Sequence, residues 1–214
     1  RQRPGAIVLH GGEPLSWGRD TVGHLLAVSF ELSGKSSLQT NGALLDQEWI
    51  ALFKKCKTTV GLSLDGYWPA NRWRGHDEAT TDLVVANIRR LVDAGLRPGL
   101  IIVLHQDNIG ENLHCVEELM LDMTKLGVTG KVNPIIHPSP HIELTCEQLK
   151  AAYLRLADIV HNNGLRDWGP FSLIAGNLLG RPLADCVFTN CDPYHTEAAR
   201  IITSSGTLSF CKKF

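Results

Sequence analysis

The stretch AIVLHGGEPL, residues 6–15, joins a short apolar run to two glycines, a glutamate and a proline. The apolar run predicts a strand. The pair Gly11-Gly12 either makes a tight turn or lets a ligand approach the backbone, because neither residue has a side chain. Glu13 is held in line by the fixed φ of Pro14. Its carboxylate is therefore a candidate acceptor for an amino group, or simply the acidic residue that often begins a helix.

Two later stretches have the same form, in which polar residues follow a predicted strand. In SLDG, residues 63–66, the hydroxyl of Ser63 and the carboxylate of Asp65 take adjacent inward positions and suit recognition of a hydroxyl group, for example on a ribose. An ordinary Asp-Gly turn explains the same residues. TNG, residues 40–42, is also a common turn tripeptide. The combination of the three stretches is therefore more informative than any one of them.

Predicted strands and amphipathic helices alternate along the chain, which implies parallel strands with right-handed crossovers in a doubly wound sheet or a β/α barrel. The barrel is favoured because polar groups follow the strands, where barrels place their ligand sites. The countable strands are too few to close an eight-stranded barrel, so we expect an α/β fold built as a partial (β/α) barrel. Strands are predicted at residues 6–10, 37–42, 58–66, 99–108 and 130–138, helices at 44–56, 80–95, 112–127 and 145–164, and residues 25–34 fit either.

The pattern changes from about residue 163, where glycines, prolines and cysteines become frequent. A short hairpin is predicted at residues 200–210, with Ser205-Gly206 as its turn. We therefore expect two modules, the partial barrel at residues 1–162 and the beginning of a second, cysteine-rich region at residues 163–214.

The overall composition excludes several classes of protein. The chain has 214 residues, 43% of them hydrophobic, and 21 basic residues against 22 acidic ones give a formal net charge of −1. Such a balance provides no field that would attract nucleic acid or anionic lipid, so we expect neither as a partner. No apolar run is long enough to span a membrane, and the first residues do not resemble a signal peptide. We expect a cytoplasmic location.

The six cysteines fall into two groups. Cys56, Cys115 and Cys146 lie in or near predicted helices at apolar positions and are expected in the core, whereas Cys186, Cys191 and Cys211 crowd together near the end of the chain. Without an export signal, clustered cysteines are more often metal ligands or buried thiols than disulfides.

The stretches HGGEPL, QTNGALLDQEW and VGLSLDG, in this order and at these intervals, resemble the radical S-adenosylmethionine (radical SAM) family. The likeness covers nearly the whole chain and is strongest to the branch of peptide- and protein-modifying enzymes with a C-terminal SPASM extension, which includes anaerobic sulfatase-maturating enzymes and ribosomal-peptide maturases. The resemblance implies three groups of cofactor-binding residues. The methionyl amino group is bound by Gly11, Gly12, Glu13 and Pro14. Ser63, with Asp65 beside it, lies near the ribose, and Asn41 occupies a strand end on the same rim.

The tail resembles the same branch. Fourteen residues separate Cys191 from Gly206, and four separate Gly206 from Cys211. This spacing fits the opening of the SPASM pattern, whose cysteines ligate auxiliary iron–sulfur clusters. The resemblance implies that Cys191 and Cys211 are such ligands, while Cys186 is either a further ligand or a buried thiol. Two structural cysteines, or a zinc site completed by His195, are the alternatives.

Two parts of the family pattern do not occur in these 214 residues. The Cys-x3-Cys-x2-Cys loop that binds the catalytic [4Fe–4S] cluster is absent, and so are the remaining SPASM cysteines. We expect a fragment of a longer protein, rather than a degenerate protein that lost its cluster. Between Gly66 and His76-Asp77 lies the insertion NRWRG, residues 71–75, which together with CDPYHT, residues 191–196, looks more like maturases of ribosomal natural products than sulfatase maturases. No catalytic residue is assigned there.

The resemblance implies that the full-length protein reduces S-adenosylmethionine at a [4Fe–4S] cluster and uses the 5′-deoxyadenosyl radical to modify a peptide or protein. A flavodoxin or ferredoxin would supply the electron, and auxiliary [4Fe–4S] clusters would accept one or bind the substrate. The competing hypothesis is a divalent-metal β/α-barrel hydrolase or isomerase with His10, Glu13, His105 and His137 as its ligands. A non-catalytic binding module is the third possibility.

Overall fold

The computed structural model describes residues 6–135, 144–165, 167–180, 201–203 and 205–209. The chain divides into two compact units, residues 1–169 and 170–214. The strands are β1 (Val8–Leu9), β2 (Ser36–Thr40), β3 (Thr58–Ser63), β4 (Gly99–Leu104), β5 (Thr129–Pro134), β6 (Ile201–Ile202) and β7 (Leu208–Ser209). The α-helices are α1 (Arg19–Ser33), α2 (Gln47–Lys55), α3 (Glu78–Asp93), α4 (Leu113–Lys125), α5 (Cys146–Asn162) and α6 (Phe171–Leu178).

The first unit is built on a five-stranded parallel sheet in the order β1-β2-β3-β4-β5. In its register Leu38 lies beside Val60 and Ile102 beside Val132. A helix follows each strand and returns the chain to the same end of the sheet, which parallel pairing requires. The predicted α/β fold with a partial (β/α) barrel is confirmed.

The two faces of the sheet differ in burial. Alternate residues such as Leu38, Leu62 and Ile102 are fully buried against the helices, as the two-residue period of a strand predicts. The residues between them, such as Ser37 and Ser63, are half-buried on the other face. That second face lines a cavity of about 480 Å³ whose walls include Ser37, Gln39, Thr59, Gly61, Ile101, Thr129 and Lys131.

Helix ends follow sequence signals. The side chain of Asp46 accepts a hydrogen bond from Trp49 N at the start of α2, and a capping box forms between Thr145 and Gln148 at the start of α5. Residues 25–34, which fit either a helix or a strand by sequence, complete α1 and end at Gly34 in the left-handed region, φ +77°. Within the described ranges, we find no helix with the length and apolarity needed to span a membrane.

All five predicted strands of the sheet end earlier than expected, and two of them show the cause. The strand predicted at 99–108 stops at Leu104, because Asn108 folds the chain back: its Oδ1 accepts a hydrogen bond from His105 N at 2.8 Å. The strand predicted at 58–66 stops at Ser63, where Asp65 N donates to Asn71 Oδ1 at 3.0 Å. Polar side chains therefore replace the strand ladder at this edge of the sheet.

Gly169 contacts the sheet of the first unit, since Val132 N donates a hydrogen bond to Gly169 O at 2.8 Å. In the second unit the structure describes α6 and the predicted hairpin, whose strands β6 and β7 pair antiparallel, with Gly206 at φ +79° in the turn. The assignment of residues 1–162 and 163–214 to a barrel and a SPASM-like region stays a prediction.

Candidate functional site

Glu13 lies just beyond β1, and its carboxylate is fixed by the neighbouring strand end. Oε1 accepts hydrogen bonds from Thr40 Oγ1 at 2.6 Å and Leu15 N at 3.1 Å, and Oε2 accepts one from Asn41 N at 2.7 Å. The bond from Leu15 caps the short 3₁₀ helix Pro14–Trp17, so Glu13 does begin a helix as well. A carboxylate has about four acceptor positions. Three are occupied by the protein, which leaves Oε2 able to accept one more donor.

The two glycines before Glu13 are needed for their backbone conformation. Gly11 has φ +95° and Gly12 has φ +57°, in the region that residues with a Cβ rarely adopt. A Cβ on Gly12 would meet no atom within 4 Å, so space is not the constraint there. Both residues are exposed. They therefore present bare backbone at an open edge of the sheet, next to the oriented carboxylate.

Ser63 and Asn41 lie at the same edge. Thr40, which donates to Glu13, pairs with Leu62 across the ladder, so Ser63 lies one position beyond this pair. The Ser63 hydroxyl has no hydrogen-bond partner among the described residues and is half-buried. The Asn41 side-chain oxygen accepts from Ala43 N at 3.0 Å. Asn41 thus contacts Glu13 through its backbone N–H, and Ser63 lies at the same edge on the next strand.

Asp65 is turned toward the protein. Its side chain is 4% exposed, and Oδ1 accepts hydrogen bonds from Arg74 Nη2 at 2.6 Å and Val103 N at 2.8 Å. Its backbone carbonyl accepts from Asn108 Nδ2 at 2.9 Å. Asp65 therefore ties the end of β3 to β4 and to the following loop, and only Oδ2 remains for a ligand. Its predicted cofactor contact stays a prediction.

The loop after Asp65 carries a buried polar network that the sequence did not identify as such. Asn71, fully buried, donates from Nδ2 to His76 Nδ1 at 3.1 Å and to Thr81 Oγ1 at 3.3 Å. Burial lowers the pKa of His76, and the positive charge of Arg74 acts in the same direction. In the sequence, the insertion NRWRG was the only sign of this network. Its residues could not be placed from the sequence, because their packing depends on the course of the loop.

His105, the first residue after β4, is 1% exposed. Its Nδ1 accepts a hydrogen bond from Asp107 N at 3.2 Å, and its Nε2 lies 3.8 Å from Asp65 Oδ2. Burial lowers the pKa of His105, partly offset by the Asp65 charge. The rival metal hypothesis placed this ring beside His10, Glu13 and His137. In the described ranges no three His, Cys, Asp or Glu side chains are grouped as metal ligands, and His137 lies outside those ranges.

The cysteine predictions have mixed outcomes. Cys56 and Cys115 are buried as predicted. Cys146 is exposed, so its predicted core position is wrong: it is the first residue of α5, whose buried residues come later, at Ala152 and Leu156. The predicted cluster ligands Cys186, Cys191 and Cys211, and the alternative zinc ligand His195, lie outside the described residues and stay predictions.

Comparison with solved structures gives the same fold at low sequence identity. The protein anSMEcpe with bound AdoMet and Kp18Cys peptide matches with a TM-score of 0.74 at 17% identity, over 98% of this chain and 61% of that one. Streptococcus suis SuiB matches at 0.71 and 16%, over 98% and 50%. A domain of the pyruvate-formate lyase-activating enzyme from Bacteroides vulgatus matches at 0.57 and 16%, over 73% and 95%. The chain thus spans half to three-fifths of the length of the first two.

Comparison with curated protein sequences gives no significant match. The profile of the radical SAM superfamily matches residues 1–123, which is more than half of the 214 residues. The matched part contains β1 to β4 and therefore Gly11 to Pro14, Asn41, Ser63 and Asp65 at the strand ends. By this match, and with a parallel sheet that agrees with it, the chain belongs to the radical SAM superfamily.

Proposed function

We propose that this chain binds S-adenosylmethionine at the strand ends and that the whole protein is a radical SAM enzyme modifying a peptide or protein. The observation that carries the proposal is the carboxylate of Glu13, oriented by Thr40 and Asn41 with one acceptor position unused. Together with a [4Fe–4S] cluster, S-adenosylmethionine supplies a 5′-deoxyadenosyl radical that abstracts a hydrogen atom. We propose that the catalytic cluster is ligated by residues outside this chain.

The residues present fit the cofactor. An ammonium group matches the free position on Glu13 Oε2, because a charged donor and a charged acceptor form the stronger class of hydrogen bond. The bare backbone of Gly11 and Gly12 leaves room for the methionyl part beside it. The unpartnered hydroxyl of Ser63 suits the ribose. Pro14 and Asn41 hold the carboxylate and its neighbouring strand in place.

A peptide substrate is supported by the structural relatives. One relative was crystallised with a Kp18Cys peptide and another with the precursor peptide SuiA. In this chain the half-buried face of the sheet borders a cavity of about 480 Å³, whose walls lie toward the amino ends of the strands and include Ser37, Thr59 and Gly99. We propose that the substrate reaches the cofactor from this face.

The remaining parts of the proposal concern electron supply. We propose a reduced flavodoxin or ferredoxin in the cytoplasm as the donor, and auxiliary [4Fe–4S] ligation by Cys191 and Cys211 with Cys186. Anaerobic reconstitution with iron and sulfide tests the second point: Cys191→Ala together with Cys211→Ala should lower iron uptake, whereas Cys146→Ala, an exposed cysteine of α5, should not.

Calorimetric titration with S-adenosylmethionine tests the cofactor site. Glu13→Gln keeps the shape but removes the charge, so affinity should fall about tenfold or more, the equivalent of a charge-assisted hydrogen bond. Glu31→Gln, an exposed glutamate of α1, is the matched control. Affinity for 5′-methylthioadenosine, which lacks the methionyl amino group, should not change in either variant. Equal losses for both ligands in Glu13→Gln would contradict the assignment.

A further inference from the structure

The indole ring of Trp73 is exposed and yet held in one direction. Trp73 belongs to the short 3₁₀ helix Arg72–Arg74, in the loop between β3 and α3, and is 49% exposed. Its Nε1 donates a hydrogen bond to Asp107 Oδ2, in the loop after β4. Both loops follow neighbouring parallel strands, so the ring lies at the edge of the sheet formed by the carboxyl ends of the strands. Ligands of such sheets bind at that edge.

Asp107, which orients the ring, is itself fixed by its neighbours. Arg72 binds both of its carboxylate oxygens, from Nε to Oδ2 at 2.9 Å and from Nη2 to Oδ1 at 2.7 Å. The backbone N–H of Asp107 donates to His105 Nδ1 at 3.2 Å, and its carbonyl oxygen accepts from Asn112 Nδ2 at 2.8 Å. A bidentate arginine pair adds geometric specificity to the bond. The direction of the Trp73 ring is therefore set by the protein alone.

The stability of the fold does not explain an exposed tryptophan in this place. Half of the Trp73 side chain gives up the burial of apolar surface, which is the main favourable contribution to folding. Trp49 and Trp168, by contrast, are 3% and 0% exposed. A side chain that is already ordered loses little further conformational entropy when it binds a partner. Tryptophan also carries an unusually large share of the binding energy at interfaces. Trp73 therefore has the properties of a preorganised contact residue.

The chemistry around the ring determines which group it accepts. Tryptophan has a single hydrogen-bond donor, and in Trp73 Asp107 occupies it. A ligand therefore meets only the carbon faces and edges of the ring, which suit an apolar or aromatic group, or a cation placed over the face. The Asp107 carboxylate is already paired with Arg72, and Arg74 adds a further positive charge in the same short helix. A cationic ligand is therefore disfavoured relative to a neutral apolar one.

We propose that Trp73 contacts an apolar or aromatic side chain of the peptide substrate, and that Asp107 is the positioning residue that orients its ring. The inference rests on the proposed function for the peptide and names the class of side chain that the peptide carries. The ring centroids of Trp73 and His105 lie 6.1 Å apart, with the rings inclined by 56°. His105 in turn lies beside Asp65, just after β3. Trp73 thus borders the strand ends at which the cofactor is proposed to bind.

Fluorine NMR of the chain labelled with 5-fluorotryptophan tests the contact. Trp73→Phe and Trp17→Phe assign the two resonances, and Trp17 is the matched control because it is 56% exposed and, among the described residues, no hydrogen bond fixes its ring. The probes are blocked tripeptides, acetylated and amidated at their ends, with the sequences Gly-Phe-Gly, Gly-Ala-Gly and Gly-Lys-Gly.

The Trp73 resonance should shift with the phenylalanine peptide, and the Kd read from that shift should be about two- to tenfold lower than for the alanine and lysine peptides. The Trp17 resonance should not distinguish the three probes. A Trp73 resonance that distinguishes them no better than that of Trp17 overturns the contact. A lysine peptide that binds as tightly as the phenylalanine peptide overturns the choice of a neutral side chain.

The role of Asp107 is tested in the same experiment. Asp107→Ala removes the acceptor of the ring N–H and the partner of Arg72, so the Trp73 resonance should move and the preference for the phenylalanine peptide should fall below about twofold. Asp107→Glu restores a carboxylate and should recover part of both. Asp158→Ala, at an exposed position of α5, is the control. An unchanged Trp73 resonance with unchanged preference in Asp107→Ala overturns the positioning role, and an unchanged Trp17 resonance shows that the variant is folded.

Calorimetric titration with S-adenosylmethionine separates this inference from the proposed function. Trp73→Phe should change that affinity by less than about twofold, whereas Glu13→Gln should lower it. If the wild type binds S-adenosylmethionine through Glu13 but the Trp73 resonance does not select the phenylalanine peptide, the contact is overturned and the proposed function stands. If Glu13→Gln leaves the affinity unchanged while Trp73 still selects that peptide, the proposed function fails and the side-chain contact is supported.

Discussion

The hydroxyl of Thr40 donates a hydrogen bond to Glu13 Oε1 at 2.6 Å, joining the end of β2 to the loop after β1 across 27 positions of sequence. The backbone N–H of Asn41 holds the other carboxylate oxygen at 2.7 Å. Since both contacts come from one strand end, the direction of the Glu13 carboxylate is set by the pairing of β1 with β2. The stretch at residues 40–42 is therefore a structural partner of Gly-Gly-Glu-Pro.

Thr40→Val should weaken binding of S-adenosylmethionine. Valine keeps the branched shape and the strand, but it removes the donor to Glu13 and the acceptor for Gly42 N at 3.1 Å. Each lost hydrogen bond costs about 1 kcal/mol, so affinity should fall several-fold and the free energy of unfolding should drop modestly. Titration calorimetry and urea unfolding measure the two effects. Thr21→Val, at an exposed position of α1, should change neither, and unchanged affinity in Thr40→Val would contradict the orienting role.

Gly42→Ala should destabilise the protein more than Gly95→Ala. Both glycines have positive φ, +80° and +82°, so alanine pays about 1–2 kcal/mol for backbone conformation at either site. Only at Gly42 would the new Cβ lie 2.6 Å from Leu62 Cδ2 and 3.2 Å from Val84 Cγ1, whereas at Gly95 nothing lies within 4 Å. Overpacking adds about 1–3 kcal/mol. Equal losses of unfolding free energy in urea would show that Leu62 and Val84 move aside.

The fold and part of the site could be predicted because they depend on local periodicity. Strand and helix alternation requires parallel strands, and parallel strands bring Glu13, Asn41 and Ser63 to one edge whatever the helices between them contain. The partner of Glu13 could not be predicted in the same way. Thr40 and Asn41 are adjacent in the sequence. Which atom of each residue reaches the Glu13 carboxylate depends on the register of β1 with β2.

The contacts of Asp65 and His105 could not be predicted from the sequence for a different reason. Asp65 fits a turn or a ligand contact equally well, and its burial arises from Arg74, which reaches it through an irregular loop. His105 was considered as a metal ligand because a histidine follows a strand, but a partner carboxylate comes from the neighbouring strand end. Cys146 was misplaced because apolar spacing does not determine which residues of the first helical turn reach the core.

Loss of the Arg74–Asp65 ion pair should be costly. Arg74→Met leaves the Asp65 carboxylate buried with only Val103 N as a donor, and breaking a buried pair from one side costs about 3 kcal/mol or more. The double variant with Asp65→Asn should be less destabilised than the sum of the single variants, since no unpaired charge remains. Lys125→Met, which removes an exposed pair with Asp122, should cost less than about 1 kcal/mol. Additive losses in the urea unfolding free energies would show that the two side chains are not coupled.

The unfolding free energy should fall as the pH is lowered below the usual histidine pKa of about 6.5. Burial holds the pKa of His76 and His105 below that value in the folded protein. Below pH 6.5 the unfolded chain therefore binds more protons than the folded chain. The contribution of the two histidines to the unfolding free energy is complete above pH 6.5 and is lost as the pH falls toward their pKa values in the folded protein. His76→Gln should flatten the slope between about pH 7 and 5.5, where ordinary carboxylates stay ionised. His24→Gln, on the exposed surface of α1, should leave the slope as in the wild type. A wild-type unfolding free energy that is constant over this interval would show that neither buried ring resists protonation.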